Sequence, residues 1–576
     1  METEKRRIAI LGAGPSGMFM FKRLIESGVK NIAIEIFERK SQFGAGMPYS
    51  TEGANREHIT NVSGNEIPTI VTSIQEWVNT VDKDVLQPYN ITPGNFNDYK
   101  VLPRLLFGQY LESQFGLLCD KARAEGITVG MHLGTQVTDI TDRPEVQHVL
   151  VEIEGTRAEV FDAVIICTGH NWPKKHEGKV MGYFDSPYPP AKLKLQLNHA
   201  VAIRGSSLTA IDAIRTLARN NGKFIEHSDG MLRYIPLETS THFKMVMHSR
   251  NGLLPAVRFH LEDSHLQNDS LLTPEQIEQH KQQNSGFLSL DYIFEKDYKD
   301  LFKEKDSAFY ERIKDLRIEE FVDLVMGFRE NIEPFELLRR EYAEAERSIK
   351  KRESVYWKEL LAVLSFAMNY PAKYFSAEDM IRLQKTLMPL ISVVIAFIPQ
   401  ASCRELLALH EAGRLEIVSV GHESDIEIRD SGGITYHYSD DEHEDCSVPY
   451  KTFVDCIGQP HLSFEDLPFK SLLADHVVTP ATLQFMSDTK AEELLSEGNK
   501  NIIKKQGHYL LKVPGISIND SFQIVSPDGT ANERLFIMAV PYISGFNPDY
   551  SGLDFCEEAS LRIAGHLQQQ LKRISV

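Results

Sequence analysis

Apolar and polar positions along the chain fall into repeated blocks that read as strand, loop, helix, strand. Residues 6–11 (RRIAIL) form a short apolar run that predicts a buried strand. Residues 16–27 (SGMFMFKRLIES) put Met18, Leu24 and Ile25 at helical spacing, and Gly28 stands where such a helix would stop. Residues 31–37 (NIAIEIF) alternate and predict a second strand. The same order returns at 199–220 (HAVAIRGSSLTAIDAIRTLARN), with a following strand at 243–249 (FKMVMHS) and an insertion around 222–242. Apolar strands ending in glycine recur at 160–170 (VFDAVIICTGH) and 450–460 (YKTFVDCIGQP). Residues 412–421 predict a further strand, 426–438 a hairpin around Ser431-Gly432-Gly433, and 532–567 a strand, a glycine loop and a helix. The blocks predict an α/β fold: two Rossmann-like dinucleotide-binding domains with a helical insertion.

The pattern changes between 262 and 385, where Glu, Lys, Gln, Leu and Tyr dominate and helices are expected to interrupt the second domain. The expected layout is a first domain over 1–198, a second over 199–261 and 386–460, the insertion over 262–385, and a return to the first domain over 461–576. The apolar stretch 387–397 is too short for a membrane span and reads as a buried helix or strand.

The first loop carries the strongest chemistry. Gly12-x-Gly14-x-x-Gly17 lies between strand and helix, and Glu38 follows the next strand. Gly12 permits the tight turn, Gly14 lets backbone approach a pyrophosphate, and Gly17 lets helix pack on strand. Free N–H groups at the helix start suit phosphate, and Glu38 suits ribose hydroxyls. The second loop keeps Gly205 alone, followed by Ser206, Ser207, Leu208, Thr209 and Ala210. Its serines would donate to phosphate, and Ala210 is small enough for close packing. Arg250 follows the next strand, where an arginine suits a 2′-phosphate, so NADPH is expected over NADH.

Composition narrows the chemistry. The net charge of −19 argues against a partner with a phosphate backbone, so no nucleic acid is expected. None of the six cysteines forms a C-x-x-C pair, so neither a zinc site nor a dithiol motif is predicted. The N-terminal METEKRR lacks a signal-peptide core, and a cytoplasmic location with no membrane association is expected. The oligomeric state stays open.

After Glu38 the chain continues ERKSQFGAGMPY, which resembles the segment lying along FAD in two-dinucleotide-binding flavoproteins, with Ala45 in place of a glycine and Gly46 next. The strand ending Cys167-Thr168-Gly169 and the C-terminal strand–loop–helix are similar to other parts of that family, as are GMPYS at 46–50 and SRNGLLP at 249–255. Within the family the pattern resembles flavin-dependent monooxygenases of the N-hydroxylating and Baeyer–Villiger kind. The resemblance implies FAD contacts at Arg39, Gly46, Met47, Val137, Thr168 and Gly169, and near the flavin at Asp549, Ser551 and Gly552. It places Arg104 near the FAD or active site, and it puts Thr60 and Asn61 near the reactive flavin edge, with Asn61 as the catalytic candidate. The implied reaction passes a hydride from NAD(P)H to flavin, forms a C4a-hydroperoxyflavin with O2, and hydroxylates a small polar substrate, an amino-acid nitrogen among the candidates. The alternatives are an NAD(P)H-linked oxidoreductase without oxygen transfer and a non-catalytic flavoprotein redox sensor.

Overall fold

The computed structural model describes residues 5–574 apart from 156–157, 171, 229, 262–270, 441–443, 460–461 and 550–551. The fold is mixed α/β and is organised by two parallel sheets. In the first, the strand order is Gln523–Val525, Ala531–Ile537, Ala163–Ile166, Arg6–Leu11, Ile32–Glu38 and Thr128–Leu133, with only the 523–525 edge antiparallel. Ile8 to Leu11 are all buried, as expected of a central parallel strand covered on both faces. The second sheet is parallel throughout, in the order Tyr183–Phe184, Thr452–Asp455, Ala200–Arg204, Lys244–Ser249 and Leu415–Ser419. In both sheets the chain leaves the first strand toward one side and later returns on the other. The carboxyl ends of these neighbouring strands form the crevice where such sheets take ligands.

The helix after each glycine loop starts at the expected place. Pro15–Glu26 begins on Gly14, with proline in its first turn, and ends at Ser27 before Gly28, whose φ is +71°. Leu208–Asn221 begins on Ser207. The expected insertion at 222–242 includes a hairpin of Gly222–Glu226 and Leu232–Pro236.

Three parts of the layout differ from the sequence expectation. Tyr183–Phe184 pairs with Thr452–Asp455, so the second sheet recruits chain from before residue 199. The helical segment does not sit on the second unit alone. Leu290, Phe294, Phe321, Leu364 and Leu390 share the core of the first unit, whereas Phe335 and Leu338 join that of the second. The helix Met388–Val394, expected in the second domain, also packs into the first core. Its Leu390, Ile391 and Val394 continue the apolar face of the preceding helices, so burial rather than chain order assigns it. Within the first unit, Gly134 at φ +61° turns the chain between the strands Thr128–Leu133 and Val137–Arg143. Val137 therefore opens a separate antiparallel sheet, Val137–Arg143 with His148–Ile153 and Glu159–Phe161. Among the described residues, no helix is long and apolar enough to cross a membrane.

Candidate functional site

A cavity of about 350 Å³ opens at the carboxyl ends of the first sheet. Its wall begins with the first glycine loop. The Gly12 N–H donates to Phe37 O at 2.8 Å, and Gly12 has φ +105°. A Cβ there would lie 2.6 Å from Cys167 O, so the turn has room only for glycine. A Cβ on Gly17 would fall 1.9 Å from Gly12 O, which explains the last glycine as a packing residue. Gly14 faces Gly46, with 3.3 Å between the Gly46 Cα and a Cβ built on Gly14. The two loops thus leave a narrow backbone-lined floor.

Gly12, Gly14, Pro15 and Ser16 line the cavity, as do Glu38, Arg39, Gly46 and Met47. Val137, Thr168, Gly169 and Gly552 complete the predicted residues brought to it. The Glu38 carboxylate accepts from Ala13 N at 2.8 Å and from Lys40 N at 3.0 Å. These bonds fix its orientation while leaving acceptor capacity, since a carboxylate takes about four hydrogen bonds. No acidic side chain occupies the first turn of Pro15–Glu26, so its positive end stays available to an anion. The long C-terminal helix Gly552–Ile574 packs beside Pro15–Glu26 and brings Gly552, Leu553, Phe555 and Cys556 to the cavity.

The cavity contains polar groups that the protein leaves unmatched. Thr168 Oγ1 is out of solvent contact and has no partner among the described residues, and the same holds for His170 Nδ1. Burial lowers the His170 pKa to about 4, so the ring is neutral at pH 7. The backbone floor, the helix ends and the unmatched Thr168 hydroxyl fit a phosphate-bearing dinucleotide with a polar ring edge. The two cavity thiols are poor nucleophiles. Burial pushes Cys167 well above its ordinary pKa and Cys556 to about 12.

The second loop repeats the geometry of the first with other residues. Gly205 N donates to His248 O at 2.8 Å, Gly205 has φ +102°, and a Cβ there would lie 2.8 Å from Cys456 O. Its side chains are partly engaged already. Ser206 Oγ donates to Leu253 O at 2.7 Å, so it ties the loop to its own chain. Ser207, Leu208 and Thr209 form the helix entry, and Ala210 is fully buried. Arg250 is exposed and makes no ion pair among the described residues.

Of the residues predicted at the first nucleotide, five lie away from the cavity lining, and one more is not described. Thr60 spends its hydroxyl within the strand region, donating to Val62 O at 2.7 Å and accepting from Leu102 N at 3.0 Å. Asn61 is exposed on the same strand, Ile59–Ser63. Gly17 packs behind the loop. Arg104, implied near the FAD or active site, pairs with Asp212 at 2.6 Å; Asp212 is buried on the helix after the second loop and needs a cation. Asp549 is held by the helical segment: its N–H donates to Asn369 Oδ1 at 2.8 Å, and its carboxylate accepts from Ser365 Oγ. Ser551 lies outside the described residues.

Sequence reasoning missed Tyr49, His170, Phe469 and Tyr542 in the wall. Tyr49 had a signal, because it sits inside the GMPYS motif. Tyr542 lies within the 532–567 strand–loop–helix, and Phe469 had no signal, since it reaches the cavity from a distant segment.

Residues 9–171 match the family described as FAD-NAD(P)-binding, and residues 273–395 match the YdhS-like middle domain. The chain is 29% identical over 473 residues to the uncharacterized protein YdhS of Escherichia coli strain K12, covering 81% of this chain and 86% of that one. It is 26% identical over 176 residues to flavin-containing monooxygenase 5 of Cavia porcellus, covering 29% of this chain and 28% of that one. Among solved structures, the FAD-bound cadaverine monooxygenase DfoA of Erwinia amylovora aligns with a TM-score of 0.44 at 12% identity, over 98% of this chain and 95% of that one. Thioredoxin reductase of Lactococcus lactis aligns at 0.39 and 10%, over 99% of this chain and all of that one. Residues 9–171, which match the FAD-NAD(P)-binding family model, hold the glycine loop, the Glu38 carboxylate and the Thr168 turn.

Proposed function

We propose that this chain is an FAD-dependent, NAD(P)H-consuming monooxygenase that uses O2 to hydroxylate a small polar substrate, with an amino-acid nitrogen among the candidates. The observation that carries the reading is the duplicated turn. Gly12 and Gly205 both stand at positive φ against the carbonyl of a cysteine, so one chain offers two dinucleotide loops. One loop suits the flavin nucleotide and the other a nicotinamide nucleotide. Bound FAD supplies two-electron oxidation of NAD(P)H and reaction with O2.

The chain's own residues bind and orient. Gly14, Pro15 and Ser16 hold the pyrophosphate at a helix N-terminus, Gly12 and Gly46 shape the floor, and Glu38 takes the ribose hydroxyls. Arg39, Met47 and Val137 border the nucleotide. Thr168 donates or accepts at the ring edge, Gly169 leaves room beside it, and the helix end at Gly552 favours negative charge there. On the second loop Gly205, Ser207, Leu208 and Thr209 take the nicotinamide nucleotide's phosphates, and Arg250 takes a 2′-phosphate, which favours NADPH. Asn61 offers an amide that hydrogen-bonds without delivering an acidic proton.

The high thiol pKa values at Cys167 and Cys556 speak against a dithiol relay. A second reading, an NAD(P)H-linked oxidoreductase without oxygen transfer, is favoured by one observation: Asn61 stands outside the cavity lining. The test is to load the protein with FAD and follow flavin bleaching by NADPH, then by NADH, without oxygen. Oxygen is then admitted with candidate amines and amino acids. An oxygen atom recovered in a hydroxylated product supports the monooxygenase, and hydrogen peroxide alone with every substrate supports the second reading. Protein that takes up no FAD defeats both.

A further inference from the structure

The seam between the two glycine-loop units holds two buried ion pairs that cross it in opposite directions. Arg104 of the first unit pairs with Asp212, on the helix after the second loop. Arg258, just beyond the second sheet's Lys244–Ser249 strand, pairs with Glu66 of the first unit. Arg258 is 4% exposed and Asp212 5%. Burial alone would raise the Asp212 carboxyl, but Arg104, His58 and Arg215 hold it below its ordinary value. Tyr188 Oη adds a hydrogen bond to the same carboxylate at 2.8 Å.

Both guanidinium groups also grip one short strand. Arg104 donates from Nε to Ile59 O at 3.1 Å. Arg258 donates to Asn61 O, and to Ser63 Oγ at 2.8 Å. The strand Ile59–Ser63 is thus bracketed at residues 59 and 61 by cations whose counter-charges lie on opposite units. Its ladder partner is the three-residue Val101–Pro103, whose pairing with it is irregular. The strand therefore has little sheet of its own. A planar guanidinium can serve a carboxylate and a carbonyl at once, which an ammonium cannot do in the same geometry.

We propose that Arg104 and Arg258 are positioning residues that set the Ile59–Ser63 strand, with Asn61 exposed on it, in register with both glycine-loop units. The functional part of this inference rests on the two-nucleotide reading above. The placement part does not, and the two are separable by experiment.

The test uses Arg104→Lys and Arg258→Lys, which keep each charge opposite its acid but lose the fork that reaches the strand. Tyr188→Phe is the control, since it touches Asp212 and Arg104 but not the strand. Amide exchange of a peptide spanning 59–63 is measured on each full-length protein. It is expected to quicken about tenfold in the lysine variants and to stay within about twofold in Tyr188→Phe. In FAD-loaded protein, the limiting rate of bleaching at saturating NADPH is expected to fall about tenfold, with nucleotide affinity and FAD content nearly unchanged, as for a small misplacement of groups that must meet. Ser63→Ala, a milder cut at the same guanidinium, repeats the exchange measurement if Arg258→Lys does not fold. Unchanged exchange at 59–63 in the lysine variants overturns the proposal, as does an equal effect of Tyr188→Phe. Faster exchange in a protein that neither nucleotide bleaches keeps the bracket and removes the functional reading.

Discussion

The two glycine loops share a backbone and differ in almost everything attached to it. In each, a glycine at positive φ donates to the end of the neighbouring strand and packs on a cysteine carbonyl. Around that turn the first loop is stripped to backbone: Gly14 faces Gly46, and Gly17 sits against Gly12 O. The second carries side chains at the matching positions, Ser207 for Gly14 and Ala210 for Gly17. The comparison teaches that only the first glycine is demanded by the turn itself. The other two are demanded by what must approach it, a second loop on one side and a helix on the other.

The strongest test of that comparison is to fill each turn. Gly12→Ala and Gly205→Ala force a Cβ onto a carbonyl oxygen at a φ that side chains rarely adopt. Together these cost roughly 3 kcal/mol or more, about a hundredfold in an equilibrium. Gly12→Ala is expected to lose FAD, read as visible absorbance retained after loading. Gly205→Ala is expected to keep FAD and lose bleaching by NADPH. Loss of FAD from both variants would mean that the second turn serves the fold rather than a second nucleotide.

The next difference lies one residue before the acid. The first loop's glycine binds the carbonyl of Phe37, and the second binds that of His248. His248 is 2% exposed and stacks on Tyr436 with centroids 4.1 Å apart. Burial lowers its pKa to about 4, against an ordinary value of 6.5. Between these values the unfolded chain binds a proton that the folded one refuses. Stability is therefore lost as pH falls from 6.5 toward 4, by up to about 3 kcal/mol. His248→Phe makes the second unit like the first and is expected to flatten that part of the melting-temperature profile. A parallel profile in the variant would place the acid sensitivity elsewhere.

How much of this was legible beforehand follows the same divide. The first loop was readable because strand, three glycines, helix, strand and acid fall within one continuous stretch, each with a local signature. The second was readable through the echo of Cys167-Thr168-Gly169 in Cys456-Ile457-Gly458, although two glycines were gone. Contacts over long separations left no such trace. Nothing in the spacing of Arg104 and Asp212 announces an ion pair, because neither periodicity nor turn chemistry records which faces meet. The side on which the helical segment packs was hidden for the same reason: an apolar helix face states that it will be buried, not against what. Phe469 joined the cavity wall by tertiary placement alone.

The smallest expected effect bears on the nucleotide itself. In register, Glu38 follows Phe37, and Ser249 follows His248, so the acid of the first unit has a serine as its counterpart. Arg250 then matches Arg39, and both are exposed. On the proposed reading the two arginines face different demands, because the adenosine ribose of FAD carries no 2′-phosphate and that of NADPH does. Arg250→Ala is therefore expected to weaken NADPH about tenfold, the scale of one charge-assisted hydrogen bond partly open to water, and to leave NADH nearly unchanged. Arg39→Ala is expected to change FAD affinity by less than about threefold, since it meets only solvated edges of its nucleotide. Bleaching titrations with both nucleotides on both variants give the answer. Equal weakening of NADPH and NADH by Arg250→Ala would assign the arginine to the shared part of the nucleotide. The serine at 249 would then be the only difference at that strand end left to discriminate between them.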